Sequence, residues 1–361
     1  MILDDKGIMK SIIDRALVKI LNMDKVFWKD YLIYDEANPD GTFKTYTGTQ
    51  IGVIAGTVID RFARKPVRKR QTLSSGYGEV ACLGDQYQID ETRLDRLNTM
   101  IRQYNNANAN AQAAKLNDIV NFLVDDMRNC LLAPMKRFDL MMGDMRFTGG
   151  CSVDGKANKK GVSIQDITLP IYKKSATAAD KDHILTWFNT EFVNKIRSKG
   201  FALTTMEMNQ ATFNTYIATS AEFKSAYVMK FGDMEINTGN IVTPDMVNRL
   251  LVATGSPLSI NIREEWVQIS QDEMKNAVPD GMVSLIPTLD PLYKMGYLKW
   301  RAPYEMQDNV PGKTYTMAED GKMFIASKHT EEGRFLEYGM EGIPDIEIPN
   351  KMAIADLTAL A

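Results

Sequence analysis

A chain of 361 residues exceeds one ordinary domain, so two packed modules or one domain with large excursions are expected. Hydrophobic residues at 44% and charged ones at 25% exclude a disordered tail and a membrane bundle. A formal net charge of -3 supplies no bulk positive field against a polyanion, which argues against dedicated nucleic-acid readout.

Along the chain, Ile8, Met9, Ile12, Ile13, Leu17 and Ile20 recur at helical spacing among Asp14, Arg15 and Lys19, which predicts an amphipathic N-terminal helix. It lacks the uninterrupted apolar core of a signal peptide, and no apolar run approaches membrane-spanning length. The chain is therefore expected to stay soluble where it is made, with no membrane partner. Phe27, Trp28 and Tyr31 follow, then the turn formers Asn38-Pro39-Asp40-Gly41, where the first boundary falls. From Thr42 to Asn108 the text is β-prone and turn-rich, a long excursion carrying the basic run Arg61, Arg64, Lys65, Arg68, Lys69 and Arg70.

Residues 109–142 place Leu116, Val120, Leu123, Met127, Leu131, Met135, Phe138 and Met142 in steps of three and four, predicting the longest helix. Pro134 should bend or split it, and Gly143 should end it. Gly149 and Gly150 introduce β-prone stretches around Val153 and from Val162 to Ile167, closed by Pro170. Ser175 to Asp182 reads as a linker. A second module then mixes types: helix 184–196 capped by Asp182 and stopped by Gly200, strand 201–205, one or two helices over 209–227, helix 244–254, and strands 258–262 and 282–287. Two closing strands, 334–338 and 343–348, are separated by Gly339 and Gly342, and an apolar segment runs from Met352 to Leu360.

Residues that carry chemistry are sparse. His183 and His329 are the only histidines, and neither stands in metal-ligand spacing. Cys82, Cys130 and Cys151 are odd in number and widely spaced, and no Asn-x-Ser/Thr acceptor occurs, which fits a reducing compartment. Gly76, Gly78 and Ala81 match a Gly-x-Gly-x-x-Ala pattern, but no strand-then-helix context surrounds them, so they are read as a bent loop. Adjacent Asp125 and Asp126 point about 100° apart on a helix and cannot share a substrate atom. The 22 methionines are read as packing. The basic run lacks interleaved stacking aromatics, which leaves a solvated face or pairing with carboxylates of a neighbouring subunit. No catalytic, cofactor-binding or metal residue is assigned, and the chain is not expected to be an enzyme.

The stretch 334–356, RFLEYGMEGIPDIEIPNKMAIAD, resembles the closing strands of the lambda-type major capsid proteins of tailed bacteriophages. DGMVSLIP at 280–287 and RFDLMM at 137–142 leading into Phe147-Thr148-Gly149 are also similar to that family. With the segments 184–199, 208–213 and 243–254 they keep the family's linear order over nearly the whole chain.

The resemblance implies an α+β Hong Kong 97-type capsid fold. Its parts would be an N-terminal arm at 1–39, an extended β loop at 40–108, a peripheral domain with a spine helix at 109–180 plus 318–361, and an axial domain at 181–317. It further implies a subunit that assembles with other copies into hexamers and pentamers around double-stranded DNA, held non-specifically. Partners would be a separate scaffolding protein, a portal and a decoration protein, with assembly in the host cytoplasm and residence in the virion. Candidate intersubunit contacts are the six basic residues of 61–70 with Phe27, Trp28 and Tyr31, the last three having local packing as an equal alternative. No motif selects Lys44, Lys65 or Lys69 for the lysine-to-asparagine bond of some members. The competing expectations are a nanocompartment shell protein that encloses enzymes, and a soluble α+β hydrolase without recognisable motif.

Overall fold

The computed structural model describes residues 10, 14, 25–48, 73–151, 167–232, 241–270, 272–292, 294–308, 310–330 and 333–360. Lys10 and Asp14 are helical; the rest of the expected N-terminal helix, the basic run and Val153 lie outside the described residues. The chain divides into two compact units, the first drawn from 1–43, 78–139 and 297–345 and the second from 44–77, 140–296 and 346–361.

The first unit is built on a seven-stranded sheet. Its path runs Leu32–Ala37, Gly296–Arg301, Gly333–Ile346, Met323–Thr330, Lys313–Ala318, and the short strands Ala81–Leu83 and Gln86–Ile89 also pair with Gly333–Ile346. The 14-residue strand Gly333–Ile346 is thus the hub, antiparallel to Met323–Thr330 along the register Met323↔Met340 to Thr330↔Gly333. The expected break at Gly339 and Gly342 does not occur. Those glycines serve close approach instead: a Cβ on Gly339 would stand 2.3 Å from the Phe324 ring, and one on Gly342 would meet Phe138 at 3.0 Å.

The β reading of 40–108 also needs correction. Strands do form at Thr42–Gly48 and Leu73–Glu79, which pair with each other, but Glu91–Asn105 is an α-helix. Asp90 caps it, accepting from the Thr92 N–H at 3.1 Å, and Leu97 is fully buried. Gly76 and Gly78 lie within a strand and not in a bent loop.

The long helix spans Ala109–Thr148 without interruption, through both Pro134 and Gly143. The proline removes one backbone donor, yet the buried side chains Val120, Leu123, Met127, Leu131, Met135 and Phe138 hold this stretch by packing. The helix stops at Gly149, whose φ of +72° is the left-handed conformation that closes many helices.

The second unit carries a five-stranded sheet in the order Ser259–Ile262, Thr205–Met208, Met282–Ile286, Ala353–Asp356, Tyr172–Ser175. The outer pairs are parallel and the inner ones antiparallel. Helices Ala221–Phe231 and Pro244–Ala253 and the helical run 184–197 close over a core of Trp187, Phe188, Phe192, Phe213, Phe223 and Met206. That run passes from α to π geometry over Asn189–Asn194. Its first N–H groups are not satisfied by Asp182. The carboxylate of Glu222, on another helix, accepts from Leu185 and Thr186 at 2.8 and 3.1 Å. The strand expected at 201–205 forms at Thr205–Met208. An antiparallel hairpin, Trp266–Ser270 with Glu273–Asn276, was not anticipated.

Candidate assembly surfaces

In the first unit, the chain around Phe27, Trp28 and Tyr31 is tied to the long helix. Asp139, fully buried, accepts from the Phe27 and Trp28 N–H groups at 2.8 and 2.7 Å, and Lys136 stands 3.4 Å from its other oxygen. One carboxylate therefore caps the short turn Trp28–Asp30 in place of a local capping side chain. The Trp28 ring meets Tyr34 and Phe138 edge to face at centroid distances of 5.2 and 6.0 Å. Trp28 and Tyr31 are 1% and 2% exposed within the single chain and Phe27 is half-buried, so the first two side chains are used in the chain's own core.

In the second unit, the last turns of the long helix seat the hairpin 266–276. Arg146 is fully buried and reaches Glu207 at 2.6 Å and Glu265 at 2.5 Å, both of them buried. Arg263 donates to the other Glu265 oxygen at 3.0 Å. Two guanidinium groups thus meet two carboxylates, which keeps the buried cluster neutral and joins helix, central strand and hairpin base. Gly143 permits the approach, since a Cβ there would stand 2.5 Å from the Ala277 carbonyl oxygen. Leu140, Val267 and Ala277 complete the seat. Asn276 fixes the hairpin's neck: its side-chain oxygen accepts from the Glu265 and Val278 N–H groups, each at 3.1 Å.

No cluster of three or more metal-ligating side chains occurs among the described residues. His183 and His329 sit in different units. Asp126 pairs with Arg93 at 3.0 Å, a structural contact. Among the described residues no helix is long and apolar enough to cross a membrane. Several large apolar side chains are solvent-facing, among them Met229, Ile241 and Val252 in the second unit and Met317 and Tyr304 in the first. Sequence reasoning placed the candidate contacts in the arm and basic run. It missed the hairpin, whose signal was only the alternation Trp266-Val267-Gln268-Ile269-Ser270.

No protein-family model and no curated protein matches the chain. Solved structures do. A prophage protein of E. coli CFT073, assigned as a capsid protein, aligns with a TM-score of 0.51 at 11% identity over 79% of this chain and 80% of that one. The capsid of Myoviridae phage XM1 aligns at 0.42, with 8% identity over 92% and 91%. The SrpI encapsulin of Synechococcus elongatus PCC 7942 aligns at 0.37, with 8% identity over 92% and 88%. The first of these shows that the chain has the mixed α and β capsid fold implied by its sequence.

Proposed function

We propose that this chain is the major capsid protein of a tailed phage, a shell subunit that works by assembly and performs no chemical step. The observation that carries the reading is the capsid fold shared with the prophage protein across most of both chains. One further feature of the chain agrees with it. The paired strands Thr42–Gly48 and Leu73–Glu79 lead into and out of a 24-residue insertion, 49–72, that contains the basic run. A head-to-tail contact that rotates shut yields rings, and rings joined through a second contact yield a closed shell.

On this reading, 1–39 is the arm, 40–108 the extended loop, 109–180 with 318–361 the peripheral domain, and 181–317 the axial domain around five- and six-fold axes. Copies of the chain enclose double-stranded DNA without sequence preference, which the mild net charge of -3 allows by not holding the genome tightly. A separate scaffolding protein sets curvature in the host cytoplasm. A portal and a decoration protein complete the virion.

The test is expression alone and together with a candidate scaffolding protein, read by light scattering and negative-stain microscopy. Closed shells in either case support the proposal. Shells that enclose one protein species and no nucleic acid would move the reading to a nanocompartment, and a monomer under both conditions would move it to the enzyme alternative.

A further inference from the structure

The hairpin 266–276 is seated on one face and bare on the other. Its register sets Gln268 opposite Met274 and Trp266 opposite Asn276, which places Trp266 and Met274 diagonally on a single face. Val267 alternates to the opposite face and is buried against Leu140 and Ala277. Trp266 and Met274 remain 52% and 55% exposed in the single chain. Carboxylates bracket them. At the neck, the Glu264 oxygen accepts from the Trp266 indole N–H at 3.0 Å and from the Asn276 amide at 2.8 Å, which fixes the ring beside a negative charge. At the tip, Asp272, in the turn, is exposed and makes no ion pair among the described residues, whereas Glu273 alternates to the Val267 side.

An indole is the strongest aromatic partner for a cation, and a guanidinium can stack on it while a neighbouring carboxylate takes its N–H groups. The face therefore selects an arginine-rich segment with apolar residues among the charges. The sequence contains one: Arg61-Phe62-Ala63-Arg64-Lys65-Pro66-Val67-Arg68-Lys69-Arg70, six cations and no carboxylate. We infer that the Trp266–Met274 face is the docking surface for the basic segment 61–70 of a second copy of this chain. Trp266 takes an arginine, and Glu264 and Asp272 neutralise the cations beside it. The inference rests on the shell-subunit reading and gives the basic run its counter-surface.

Charge reversal in two chains tests it. Variant one carries Gln268→Lys, on the Trp266 face, and Asp272→Lys, and variant two carries Arg68→Glu, Lys69→Glu and Arg70→Glu. Alone, each sets like charge against like, and copy-to-copy association measured by light scattering should weaken at least tenfold while circular dichroism stays that of the wild type. Mixed, each hairpin meets an opposite segment on the other variant, and association should recover. Recovery only in the mixture identifies docking between chains, because within either variant the two charges still clash. Wild-type association by each variant alone would overturn the inference, as would a mixture that does not recover. Should the wild-type chain not associate at all, the shell reading fails separately, and a synthetic 60–71 peptide titrated into the full chain still reads the contact. Saturable change in tryptophan emission, absent in Trp266→Phe, would sustain it; no change would overturn it.

Discussion

Replacing Arg146 by methionine is expected to be the most damaging conservative-volume change in the second unit. The guanidinium is fully buried and bonds Glu207 and Glu265 at 2.6 and 2.5 Å, with those side chains only 3% and 1% exposed. Arg263 would still hold Glu265, at 3.0 Å, whereas Glu207 would lose the guanidinium that faces it. Breaking a buried pair from one side costs about 3–5 kcal/mol, because the remaining group stays out of water after losing its charge partner. With a urea slope of about 3 kcal/mol per molar, the midpoint should fall by roughly 1–1.7 M. Urea unfolding followed by tryptophan emission reports on this unit, since Trp187 lies in its core. Adding Glu207→Gln to Arg146→Met should return about 2 kcal/mol, a coupling expected of groups in one network. The reasoning is refuted if Arg146→Met lies within about 1 kcal/mol of wild type, or if the double variant is as unstable as the two single losses added.

Three other outcomes follow from the first and second units. Asp139→Ala removes the acceptor for two backbone N–H groups and should cost about 1–3 kcal/mol; trypsin should then cut sooner after Lys25 and Lys29, and an unchanged cleavage rate would contradict the capping role. Burial and the hydrogen-bonded Asp85 raise the Tyr338 hydroxyl far above the ordinary tyrosine value, and burial with Glu319 does the same for Tyr34. Unfolded tyrosines ionise near pH 10, so this contribution is whole below that pH and declines above it by about 1.4 kcal/mol per pH unit for each tyrosine. Urea midpoints should drop more steeply with alkaline pH in wild type than in Tyr338→Phe, and equal slopes would be inconsistent with it. Burial pushes the Cys130 thiol up to about 12. Cys151 is buried and Cys82 exposed, so a thiol-reactive disulfide near neutral pH should modify Cys82 alone until the chain is unfolded; early labelling of Cys130 would count against its burial.

Much of the fold was legible where one local pattern dominates. The three-and-four spacing from Val120 to Met142 gave the long helix, and the helix expected at 244–254 forms at Pro244–Ala253, with the Thr243 oxygen accepting from the Met246 N–H. The failures have two causes: one local pattern was overridden by its neighbours, and other signals depend on tertiary partners. Leu94, Leu97, Ile101 and Tyr104 have helical spacing, yet the turn-rich text before them carried a β reading through to 108. Gly339 and Gly342 resemble breaks in sequence, and only the Phe324 and Phe138 rings above them explain why the strand needs glycine. The buried cluster was out of reach altogether, since Arg146 lies 61 and 119 residues from the two glutamates it binds. In the candidate surface, the basic run was visible as composition, whereas the exposed hairpin face depends on which side of a two-stranded ribbon is covered.

The strand Gly333–Ile346 also has a meaning in time. It pairs with 86–89 across a gap of roughly 250 residues, and with 81–83, 296–301 and 323–330, all of which leave the ribosome before it. In the other sheet, Ala353–Asp356 inserts between two strands that were also made earlier. At roughly 5–20 residues per second, the early strands wait on the order of 12–50 s for their hub. Neither sheet can close on a chain interrupted before these segments, so a truncated translation product is left with open edges and is a substrate for chaperones and proteases. The topology thus ties the closing of both sheets to synthesis of the chain through residue 356.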